Sequence, residues 1–161
     1  MLYTPDDYNR YDVLVTPFFL IVIIGYLIKQ YILVALPFFA QLPWLGLALK
    51  PIVYWIPKEQ AVDGLLLFTC LPAFLVFISL LKRTPQAGTF LRYSWYYGRY
   101  LLLSSASLEI IILISEIILK WQKINDLILL FIYLDLICIF TLVRSQRIKD
   151  VFAQFPHKNH N

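Results

Sequence analysis

Long runs of residues almost free of charge recur along this chain, and no other feature narrows its fold as much. About 20 helical residues cross the hydrocarbon core of a bilayer. Four stretches meet that length: 14–36, 61–81, 100–119 and 126–143. The first is interrupted only by Thr16, Pro17, Lys29 and Gln30, and the second carries Pro72 as an expected kink. Apolar residues make up 60% of the 161 positions and charged ones 15%, and mean hydropathy is +0.71. Soluble domains hold about half apolar and about a quarter charged residues. A domain this small buries the smallest share of its surface, so it could not hide so much apolar area from water. The expectation is one all-α membrane domain over residues 1–161, a bundle of four transmembrane helices.

The segments between the runs carry anchoring residues. Residues 37–60 hold Pro37, Pro43, Pro51 and Pro57, which no regular helix accommodates. With Trp44 and Trp55 they read as an irregular outer hairpin at the headgroup level, a re-entrant loop being possible only under a cover of protein. Lys82 and Arg83 stop the second run. Residues 84–99 then mix Arg92 and Arg99 with Tyr93, Trp95, Tyr96 and Tyr97. Stacking on nucleic acid is one reading of such a mixture, and a belt at the membrane surface fits its position better. Trp121 closes the third run, and residues 150–161 read as a polar tail. The expected interfacial anchors are therefore Trp44, Trp55, Arg92, Trp95, Arg99 and Trp121.

Basic residues set the orientation. Arg10, Lys82, Arg83, Arg92, Arg99, Arg144, Arg147, Lys149 and Lys158 fall on one side of a four-span topology. Only Lys50, Lys58, Lys120 and Lys123 fall on the other. The richer side is cytoplasmic, which places both termini inside. A cleaved signal peptide needs a basic start and a short apolar core; this start is acidic and the core is long.

Several chemistries are excluded. Cys70 and Cys138 lie within apolar runs and build neither a disulfide scaffold nor a Cys-rich metal site. The two histidines, His157 and His160, are in the last five residues, so no intramembrane haem, histidine-bound metal or Ser–His pair is expected. There is no Gly-rich phosphate loop. No cofactor, metal or nucleic-acid partner is expected. The expected partners are the bilayer and either a membrane protein or further copies of the chain.

Four ionisable side chains fall within the runs: Lys29, Glu109, Glu116 and Asp135. A charge at mid-membrane costs about 2.5–3.5 kcal/mol on the insertion scale, so each needs a partner, water or neutralisation. Glu109 and Glu116 are seven apart and share a helix face with Ser105. Gly25, four before Lys29, permits a close helix approach. Three readings stay open: a structural pair of Lys29 with Glu109 or Asp135, snorkelling of Lys29, and a proton or ion path. Glu116 is near enough to a helix end to reach water.

Both ends of the chain resemble the YfeZ-like family of small bacterial inner-membrane proteins. The opening carries Asp6-Asp7-Tyr8-Asn9, then Leu14, then Pro17-Phe18, with Lys29 twelve after the proline. The end carries Asp135, Arg144, Arg147-Ile148-Lys149-Asp150-Val151-Phe152 and Phe155-Pro156. Asn9 and Asp12 depart from the family pattern, which has Asp and Gly there. The middle matches only in hydropathy. The resemblance implies a location in the bacterial inner membrane and draws attention to Lys29 and Asp135; it implies no activity. The functional expectation is a non-catalytic accessory or scaffolding component. The alternatives are an oligomeric proton- or ion-coupled transporter using the buried charges, and a membrane enzyme acting on lipid.

Overall fold

A computed structural model describes residues 3–41, 64–120 and 126–156. Trp44, Trp55, Trp121, His157, His160 and nearly all of the Pro-rich hairpin lie outside the described residues. Within them the chain is all-α: α1 Phe18–Leu27, α2 Lys29–Phe39, α3 Gly64–Leu81, α4 Thr89–Tyr96, α5 Gly98–Lys120, α6 Asp126–Arg144 and α7 Gln146–Ala153.

The first apolar run is two helices rather than one. Pro17 sits at the cap of α1 in an extended conformation, and its carbonyl accepts from the Leu20 N–H at 3.0 Å. Its fixed φ suits the start of a helix, and the residue before a proline avoids the helical region. Leu14 to Thr16 therefore lie outside α1, a correction to a span expected from residue 14. Leu20, Ile23, Ile24 and Leu27 are buried at helical spacing, while Phe18, Phe19, Ile21 and Val22 are exposed. A helix that is apolar on both faces suits a lipid-facing position. At Ile28 the backbone leaves helical geometry, with φ −94° and ψ 8°. The chain restarts at Lys29 with a bend of 60° between the two axes.

Helix α5 is central and packs against α1, α3, α4, α6 and α7. Against α3 the contact is made by small residues. Ser105 and Ala106 on α5 and Thr69, Cys70 and Ala73 on α3 are all buried. The Ser105 hydroxyl donates to the Thr69 carbonyl at 2.5 Å. Small side chains let two backbones approach, and a hydroxyl can then bond across the gap. Helix α3 continues through Pro72.

Among the described residues, α5 alone has, over Gly98–Leu119, the length and apolarity to cross a bilayer as one unbroken helix. The pair Phe18–Leu27 with Lys29–Pro37 qualifies only as a bent unit, as does Ile128–Arg144 with Gln146–Ala153, bent by 69°. Among the described residues up to three spans follow, by length and composition, if each bent pair counts as one.

The polar ends fold onto each other. Residues 5–7 make a short 3-10 turn closed by a Thr4–Asp7 capping box. The Asn9 side chain accepts from the N–H groups of Tyr11 and Val13, and Asp12 adopts φ 55°. Aspartate is one of the few residues that tolerates this left-handed region. Leu14, next to the turn, is fully buried. The stretch 150–156 is not a solvated tail, which corrects the expectation from sequence. Val151, Phe152, Phe155 and Pro156 are buried against α4 and the start of α5. Helix α7 begins at Ser145, whose side chain accepts from the Ile148 N–H at 3.3 Å.

Candidate functional site

Two groups of polar side chains are buried, one within the bundle and one at the end where the termini meet. The first centres on Lys29. Its position at the restart of the broken first run turns it toward α5, where its ammonium forms an ion pair with Glu109 Oε1. The Lys29 side chain is 15% exposed and that of Glu109 2%. Such enclosure rules out snorkelling for the Lys29 head, because a snorkelling lysine keeps its ammonium in water. The same ammonium lies 3.9 Å from the centroid of the Tyr26 ring and 5.3 Å from that of Phe131. Two aromatic faces and one carboxylate thus surround the cation, and both kinds of contact strengthen when water is excluded.

Asp135 lies on α6 one turn after Phe131 and is fully buried. The Tyr26 hydroxyl donates to the Phe131 carbonyl at 3.2 Å and ties α1 to this part of α6. Neither Asp135 oxygen, nor Glu109 Oε2, has a hydrogen-bond partner among the described residues. Tyr26 precedes Lys29 by three, and Phe131 precedes Asp135 by four. Helical spacing alone would have placed each ring beside its charged neighbour. Glu116 is on α5, but its side chain lies outside the described residues.

The second group is built on Arg83 and Trp95. Arg83 follows α3 and is 9% exposed. Its guanidinium donates to the carbonyls of Leu14 at 2.9 Å and Gln154 at 3.0 Å, with longer contacts to the Val151 carbonyl and the Thr16 hydroxyl. Trp95 has no exposed surface, and its indole N–H donates to Val151 and Gln154. This overturns its expected role as a lipid anchor. Leu91, Ser94, Trp95 and Gly98 share one helical face and turn inward, while Phe90, Tyr93, Tyr96, Tyr97 and Tyr100 are exposed on the other. The inward stripe at i, i+3, i+4 and i+7 was a readable signal. The outer aromatic face is the set of tyrosines.

Arg92 and Arg99 also serve the fold. Arg92 donates to the Pro85 carbonyl at 2.7 Å, and Arg99 to the Leu142 carbonyl at 3.0 Å, where α6 ends with unpaired carbonyls. The role of Arg83 had no local signal, since its partners lie 67 to 71 positions away.

Among the described residues no group of three or more His, Cys, Asp or Glu side chains is placed to hold a metal ion. The arrangement ties helices together inside the bundle and locks both chain ends over it. No family model matches the chain, and neither does any curated protein or solved structure.

Proposed function

We propose that this chain is a multi-pass protein of the bacterial inner membrane with both termini in the cytoplasm, acting as a non-catalytic accessory or scaffolding component. The supporting observation is how its polar groups are used. The Lys29–Glu109 pair links the break of the first run to α5, and Arg83 and Trp95 are spent on backbone carbonyls. Meanwhile Leu129, Leu130, Tyr133, Leu136 and Phe140 leave α6 with an exposed apolar face that lipid or a partner helix would cover. The excess of Lys and Arg at the capped end favours that end as cytoplasmic. The likeness of both chain ends to the YfeZ-like family agrees with this location.

A second reading, proton- or ion-coupled transport, is favoured by one observation: the buried carboxyl of Asp135 has no partner among the described residues. Intramembrane ionisable groups of that kind commonly mark ion paths. One purification separates the two. The chain is extracted in native lipid discs, its stoichiometry determined by mass spectrometry, and the purified material reconstituted for proton-flux measurement. A second chain in fixed ratio and no flux supports the accessory role. Flux by the chain alone overturns it in favour of transport.

A further inference from the structure

Within the group around Lys29 the charges do not balance. Lys29 supplies one positive group, and Glu109 and Asp135 supply two carboxyls. The ammonium is committed to Glu109 Oε1, leaving three carboxyl oxygens without hydrogen bonds among the described residues. The other titratable groups facing this space are Tyr26 on α1, Cys70 on α3 and Cys138 on α6, and none of them brings a second positive charge. A carboxylate that is fully buried and accepts no hydrogen bond is far costlier than the neutral acid. A metal ion would need more ligands than these two carboxyls supply. A proton needs only one oxygen.

We propose that Glu109 and Asp135 form a buried proton-binding site, with one proton on Asp135 while Lys29 neutralises Glu109. Loss of that proton leaves two carboxylates competing for a single ammonium. Lys29 stands at the 60° break between α1 and α2. The O–H bond of Asp135 is the only bond broken, and the proton leaves to water. This deepens the ion-coupled reading by naming its ligand, and it can hold where that reading fails, because binding a proton does not require carrying it across.

The test is infrared difference spectroscopy of the full chain in liposomes, titrated with pH in H2O and D2O. At neutral pH a carboxylic-acid carbonyl band is expected, shifted by D2O and by 13C-labelled aspartate, and replaced by a carboxylate band at alkaline pH. Asp135→Asn removes it. Lys29→Met leaves Glu109 without its cation, so a second acid band appears and the carboxylic-acid intensity is about doubled. The labelled wild-type chain gives the assignment even where a variant fails to fold. Absence of any acid band at neutral pH, or a band unmoved by labelled aspartate, overturns the proposal. Proton flux is read separately, so a band without flux keeps the site and removes transport.

Discussion

The guanidinium of Arg83 sits over the Trp95 ring, 4.7 Å from its centroid, and both side chains donate to the same two carbonyls, those of Val151 and Gln154. These carbonyls lie at the end of α7, where a helix runs out of backbone donors; that of Val151 also accepts from the Gln154 N–H at 3.4 Å. Two residues twelve apart in sequence, one after α3 and one on α4, thus clamp the C-terminal segment. The Leu14 carbonyl brings the N-terminal segment to the same cation, and the Leu14 N–H takes the Gln154 side chain at 2.9 Å. The clamp is the joint through which both chain ends attach to the bundle.

Arg83→Met should therefore strand the Leu14 carbonyl and take the charged donor from those of Val151 and Gln154, which keep the Trp95 indole N–H. Hydrogen bonds to a charged group contribute about 1.5–3 kcal/mol each and do not add, so a net loss of about 2–4 kcal/mol is expected. Arg83→Lys should recover less than half, because an ammonium lacks the planar fork that reaches carbonyls on two segments. Thermal unfolding in detergent measures both; a neutral Arg83→Met would remove the clamp from the account.

Gly98 begins α5 under the Phe152 ring. A Cβ built there meets Phe152 Cε1 at 2.5 Å, and the ring itself is wedged 4.9 Å from Trp95. Gly98→Ala should destabilise by about 1–3 kcal/mol, the usual range for overpacking. Combining it with Phe152→Leu should cost less than the sum of the two changes. Additive losses in a double-mutant cycle would show that the ring moves aside freely.

The N-terminal segment is held to α7 by two titrating contacts, and their signs differ. Asp7 accepts from Thr4 and from Arg147, the latter at 2.7 Å. These bonds, the Thr4 ones foremost, hold its carboxyl below the ordinary value of 3.8. That contribution is present above the ordinary carboxylate range and lost as pH falls through the depressed value. Tyr3 donates to Asp150 at 2.5 Å, and this bond raises the phenol above its ordinary 10.0. Its contribution is present below 10 and lost as pH rises through the raised value. Protection of residues 3–16 from proteolysis should hold at neutral pH and fall at both extremes. Asp7→Asn should remove the acid limb and Tyr3→Phe the alkaline one. A profile unchanged by either substitution contradicts the assignment.

Lys29→Met leaves Glu109 buried without its cation. Breaking a buried pair costs about 3–5 kcal/mol in soluble proteins, and protonation of the stranded acid lowers this to an expected 1–3 kcal/mol, approximately. Adding Glu109→Leu should recover part of that loss, since the unpaired group is then gone. Melting temperatures of the single and double variants decide it: a fully additive double mutant would mean that the pair contributes nothing.

Much of the architecture is legible from residue order. The apolar runs mark α3, α5 and α6 to within a few residues, because a long stretch without charges or helix breakers favours one continuous helix. Charge at depth singled out Lys29, Glu109, Glu116 and Asp135, because an ionised group far from water is costly in any arrangement; of these the side chain of Glu116 lies outside the described residues. The amphipathic stripe Leu91–Ser94–Trp95–Gly98 was equally available and shows which face of α4 turns inward.

Tertiary structure decided the rest, and for a common physical reason: the energies involved belong to pairs of groups distant in sequence. Nothing near Lys29 indicates that it pairs with Glu109 rather than Asp135; that choice is made where the chain restarts after the break at Ile28 and the Lys29 ammonium meets Glu109 on α5. Nothing near Arg83 distinguishes a charge that ends a membrane run from one that is buried under the two chain ends. Local propensity and hydropathy act over a few residues and are written in the order of the chain. A guanidinium that joins Leu14 to Gln154 exists only once the chain has brought 14, 83, 95 and 154 together.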